Sequence, residues 1–204
     1  NPRFDALPDA AVEGRRLAAD WGRRRDSRSR LYLGAQATRS ALFEEFAKAR
    51  VLHIASHAVS SSVFALNTGL VLTPVDGDPS APEPADDGVL RAWEFLEAPR
   101  LRADVVVLSG CETGPGSEWI AMAEGSLDLS RFFLEAGAGA VLSASWRISD
   151  EATAEFMTGF HRSLSRGASP DQALNAAQAA MSGSRRWAHP FNWAAFRLVG
   201  LGDE

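Results

Sequence analysis

Three short runs decide most of what this chain can become: VLHIAS at 51–56, VVVLS at 105–109 and AVLSAS at 140–145. A strand with one wet face alternates apolar and polar residues. A nearly unbroken apolar strand needs cover on both faces, which is the pattern of a mainly parallel sheet held between two layers of helix. Shorter β-like runs occur at Leu31–Leu33, Gly69–Thr73 and Phe196–Val199. Helical patterns lie between the runs. Ala10–Asp20 is one, and Arg39–Ala49 puts Leu42, Phe43 and Phe46 on one face. Ser126–Glu135 carries Leu127, Leu129, Phe132 and Phe133 and stops at Gly137. Ala152–Ser165 spaces Phe156, Phe160 and Leu164 by four and stops at Gly167. Ser169-Pro170-Asp171-Gln172 is a capping box with proline at the first helical position, and it opens a helix to about Met181. Alternating strand and helix predicts an α/β fold, a mostly parallel sheet flanked by helices.

Composition sets the outer bounds. The 204 residues are 46% hydrophobic and 23% charged, enough for a sizeable core in one large domain or two small ones. A single cysteine excludes a disulfide framework and any zinc site built on several thiolates. No phosphate loop, metal cluster or dinucleotide fingerprint is present, so no metal or cofactor is expected. No apolar run approaches the roughly 18–20 residues that a membrane span needs. The net charge of −5 argues against a general nucleic-acid binder. That charge is uneven: residues 1–50 hold 11 Lys+Arg against 7 acids. An acidic body with a basic amino-terminal edge suits a cationic ligand or an acidic partner, and the RRRDSRSR run at Arg23–Arg30 reads as a solvated basic loop. Residues 73–87 (TPVDGDPSAPEPADD) hold four prolines and five acids around Val75 alone, and read as an exposed loop within the domain. The chain begins at Asn1 with no initiator Met or leader, which reads as a segment of a longer protein, and the lone cysteine fits the cytoplasm.

In open α/β sheets functional groups gather beyond the carboxyl ends of the strands. His57 follows the first run, Cys111 the second, and Arg147-Ile148-Ser149-Asp150 the third. If the three strands are parallel, His57, Cys111 and Asp150 share one edge. A free thiol is mostly protonated at neutral pH; a neighbouring imidazole can take its proton for attack on a carbonyl and return one to the leaving amine. The oxyanion then needs fixed N–H donors, for which the amides of Cys111 and Ala58 are the candidates. Plainer readings stand beside these. A lone cysteine after a buried strand is a common core residue, a histidine there is commonly hydrogen-bonded structure, and Ser149 or Asp150 can cap a helix. His53, inside its strand, reads as structural. Glu112, Glu118 and Trp119 read as loop residues, and His189, Trp193 and Phe196 as late core anchors.

LHIASHA, LSGCETG, ASWRISDEAT and HPFNWAAFRLVG, preceded by PDAAVEGRRLA and YLGAQATRSALFEEFAKA, resemble the successive blocks of CHAT domains over nearly the whole of residues 1–204. These are caspase-like cysteine protease domains of clan CD, similar to separase and commonly attached to tetratricopeptide repeats. The resemblance implies a caspase-like three-layer fold and a catalytic dyad of His57 and Cys111, whose separation of 54 residues is close to the roughly 50 of caspases. It implies hydrolysis of a peptide bond in a protein substrate, a repeat or other regulatory region in the same full-length protein, and a role in bacterial regulation or defence. The segment Trp146-Arg147-Ile148-Ser149-Asp150 resembles one in which an acid reads a basic residue before the scissile bond; by that likeness Asp150 binds Arg or Lys. Two positions depart from the common pattern: Ala58 stands where Gly often follows the histidine, and Gly110 where Ala often precedes the cysteine. Neither removes a reacting group. The alternatives are a catalytically silent scaffold that binds a regulatory partner, and a small-ligand-binding α/β module.

Overall fold

The computed structural model describes residues 4, 7–24, 28–59, 65–75, 87–109 and 129–200. The strands, in chain order, are β1 (Val51–Ala55), β2 (Ala58–Val59), β3 (Gly69–Val71), β4 (Val89–Arg91), β5 (Val105–Ser109), β6 (Ala140–Ala144) and β7 (Phe196–Gly200). The helices are α1 (Pro8–Gly22), α2 (Arg39–Phe46), α3 (helical over 129–136), α4 (Asp150–Ser165) and α5 (Pro170–Ser182).

The central sheet has the order β1-β5-β6-β7. β1 pairs parallel with β5, from Val51↔Val105 to Ala55↔Ser109, and β5 pairs parallel with β6 through Val106↔Val141 and Val107↔Leu142. Only β7 runs antiparallel, along β6. The mostly parallel sheet read from the three apolar runs is therefore the observed one.

Pleating sends alternate side chains to opposite faces, and β5 shows why its run is unbroken. Val106 and Leu108 join Ile54, Val141, Phe46, Phe95 and Phe133 in one core. Val105 and Val107 join Leu142, Phe156, Phe160, Ala177 and Phe196 in the other. All five residues of β5 are buried. In the second core Phe156 stacks on Phe196, with ring centroids 3.7 Å apart, and fixes α4 over the β6–β7 pair.

Local chemistry sets the helix ends. Proline occupies the first helical position of α1 and of α5, where its missing N–H costs nothing. The Ser149 side chain accepts from the Ala152 N–H at the start of α4. α3 ends at Gly137, whose φ of +116° and whose approach to the Leu101 carbonyl both require glycine: a Cβ there would sit 2.5 Å from that oxygen.

Three readings need amendment. Leu31–Leu33 is not a strand; Leu31 and Tyr32 are each 37% exposed, and the Tyr32 hydroxyl donates to Glu45 instead of packing in a sheet. His189 is not a core anchor but an exposed cap whose Nδ1 accepts from the Phe191 N–H. β2 and β4, too short to show a period, complete an antiparallel sheet in the order β2-β3-β4. Among the described residues no helix is long and apolar enough to cross a membrane.

Candidate functional site

Because β1, β5 and β6 are parallel, their carboxyl ends, at Ala55, Ser109 and Ala144, lie along one edge of the sheet. His57 stands two residues beyond the first of these, where the chain leaves the central sheet and enters β2. Val71 of β3 holds this turn from the side. Its N–H donates to the His57 carbonyl at 2.9 Å, and its carbonyl accepts from the Ser56 hydroxyl. The His57 side chain is buried, with the Phe4 ring 5.5 Å from it between centroids. A histidine fastened through its backbone on one side and covered by an aromatic ring has few orientations left.

Ala58 follows, and the β2–β3 register settles where its amide points. In an antiparallel ladder, residues alternate between exchanging hydrogen bonds with the partner strand and facing away from it. Since Val71 bonds to His57, the next pair, Ala58↔Leu70, is of the second kind. The Ala58 N–H is therefore directed away from β3, on the outer side of a strand that ends its sheet. No described residue other than glycine has a positive φ, so alanine meets no backbone strain here.

At the third strand end, Asp150 is the first residue of α4 and is exposed. The capping work belongs to Ser149. Glu151 pairs with Arg186, and the Trp146 indole donates to the Phe191 carbonyl at 3.0 Å, placing an aromatic pair beside Arg147. Cys111, with Gly110, Glu112, Glu118 and Trp119, lies outside the described residues. So do residues 76–86 of the acidic loop, and 25–27 of the basic run, whose Arg23 and Arg30 pair with Asp20 and Glu45.

One cluster at this edge escaped the sequence reading. His53 hydrogen-bonds through Nε2 to Glu13 Oε1 at 2.9 Å and through Nδ1 to His161 Nε2 at 3.0 Å. The Trp21 indole donates to His161 Nδ1 at 3.1 Å, and the Ser109 hydroxyl donates to Glu13 Oε1 at 2.7 Å. Burial would raise the Glu13 carboxyl, but the hydrogen bonds it accepts from His53 and Ser109 outweigh it, leaving the group below its ordinary range. Burial holds His161 well below the ordinary imidazole value. The signal was available: Glu13, Leu17 and Trp21 recur at fourfold spacing on α1, so an acid stands on the same stripe as that helix's buried leucine. Among the described residues no group of three or more His, Cys, Asp or Glu is placed to hold a metal ion.

A mostly parallel sheet between helix layers, with a buried histidine at its carboxyl edge, defines an α/β domain of caspase-like architecture. The CHAT domain family model matches residues 1–201, and the chain belongs to that family. It is similar to tetratricopeptide repeat protein 28 of Mus musculus, at 30% identity over 198 residues covering 82% of this chain, and equally to that of Homo sapiens. The chain spans only 8% of the length of either relative.

Proposed function

We propose that the chain is a cysteine endopeptidase domain in which His57 and Cys111 hydrolyse a peptide bond of a protein substrate. The observation that carries this reading is the parallel register Ala55↔Ser109. His57 and Cys111 each follow one member of that pair by two residues, and neighbouring strands run only about 5 Å apart. His57 takes the thiol proton as Cys111 Sγ attacks the carbonyl carbon. The N–H groups of Ala58 and Cys111 stabilise the oxyanion, and the outward direction of the Ala58 amide supports that role. As the C–N bond breaks, His57 gives its proton to the leaving amine. Water, deprotonated by His57, then attacks the thioester and expels Cys111 as thiolate, and the proton returns.

Asp150 binds a basic side chain before the scissile bond, with Arg147 tempering that preference. We take residues 1–204 as one such domain of a longer cytoplasmic protein, with 73–87 as an exposed loop. Its partner within that protein is a tetratricopeptide-repeat region, as the names of its relatives support. A second reading, consistent with the repeat region that those names print, is a silent scaffold binding a regulatory partner.

Thiol chemistry separates the two. Alkylation of Cys111 by iodoacetamide, followed from pH 5 to 9, should be fast at neutral pH and should slow about tenfold or more in His57→Ala, because an adjacent imidazole raises the thiolate fraction. Equal rates in the two proteins would leave the scaffold.

A further inference from the structure

The cluster beneath this edge has a direction that its heavy atoms alone determine. An indole nitrogen can only donate, so His161 must accept at Nδ1 and carry its proton on Nε2. That proton is donated to His53 Nδ1, so the proton of His53 is on Nε2 and goes to Glu13. Both imidazoles are thus neutral Nε2–H tautomers. The chain of bonds runs Trp21 to His161 to His53 to Glu13, and ends on the same carboxylate oxygen that accepts from Ser109. Glu13 is the terminal acceptor of two donors from different strands, and its side chain is only 10% exposed. Its removal would strand the His53 N–H and the Ser109 hydroxyl in a site that water barely reaches.

Ser109 is the last residue of β5, and the side chains of His53 and Ser109 fall on the same face of the sheet as Val107, the face that α4 covers. We propose that Glu13 is a positioning residue: by accepting from both His53 and Ser109 it ties α1 to the end of β5 and so fixes the strand end two positions before Cys111 in the chain. This rests on the peptidase reading above. It differs from a purely structural role in acting through one hydroxyl.

The test is a double-mutant cycle in the full-length protein, assayed by peptide hydrolysis with Cys111→Ala as the blank. Glu13→Met, which keeps bulk and removes the acceptor, should lower kcat about tenfold with KM unchanged, since small misplacements of reacting groups cost rate. Ser109→Ala should do the same, and the double variant should be no worse than either. Glu13→Gln, which keeps an acceptor oxygen, should recover most of the rate. Should Glu13→Met not fold, Ser109→Ala and Glu13→Gln carry the comparison. Imidazole ¹⁵N shifts of the wild type should show Nε2–H tautomers at both His53 and His161. Additive losses in the cycle, an unchanged kcat in Ser109→Ala, or a proton on His161 Nδ1 would overturn the positioning role alone. A wild type no more active than Cys111→Ala would remove the peptidase reading, and the positioning role with it, while the tautomers would still report whether the hydrogen-bond chain exists.

Discussion

Ser149 and Asp150 are neighbours with separable work. The Ser149 hydroxyl accepts from the Ala152 N–H and the Asp150 carboxylate adds charge at the same helix end. Ser149→Ala should therefore cost about 1 kcal/mol in unfolding by denaturant, and Asp150→Ala less, about 0.3–1 kcal/mol. In cleavage assays the ranking should reverse: Asp150→Ala should weaken a preference for Arg or Lys, and Ser149→Ala should leave it. An unaltered preference in Asp150→Ala would remove that residue from substrate recognition. The sequence could not separate the two, because serine and aspartate are equally good caps and only the hydrogen bond decides. His57 was legible from its place after an apolar run. Glu13 could be placed on the buried stripe of α1 but not matched to its partners, because His53 and Ser109 lie 40 and 96 residues away in the chain.

At the scale of elements, α4 is held by stacked aromatic rings. Phe156 is fully buried between Phe160 and Phe196, so Phe156→Ala should cost about 3–5 kcal/mol, read as a shift in the denaturant midpoint. The junction of α1, β1, β5 and α4 should also make stability depend on pH. His161 is held below the ordinary imidazole value of 6.5, and Glu13 below the ordinary carboxyl value of 4.5. In both cases the unfolded chain takes up its proton first as the pH falls. Stability should thus be fullest above about 6.5, decline below it as His161 charges in the unfolded chain, and decline further below about 4.5 as Glu13 does. Unfolding free energies at pH 7.5 and 5.5 should show that fall, reduced in His161→Leu; an equal fall in both proteins would place the proton uptake elsewhere. Long elements with a clear period were legible, down to the capping box at Ser169 and the stop at Gly137. Leu31–Leu33 misled because an apolar triplet does not reveal whether a strand partner exists. Val89–Arg91 was missed because three residues carry no period.

For the molecule as a whole, three apolar runs foretold a covered parallel sheet, and the parallel sheet gives one edge at which its strand ends meet. That inference needed only side-chain periodicity, which is why it could be read from the chain. What a sheet edge does chemically depends on a few atoms, and the family and its repeat-bearing relatives narrow that without naming a substrate. In the proposed function, His57 and Cys111 work on one bond. A peptide-library digest by the full-length protein, analysed by mass spectrometry beside Cys111→Ala and His57→Ala, addresses it directly. Cleavage products should appear with the wild type and be absent from both variants. Product profiles identical in all three proteins would contradict it.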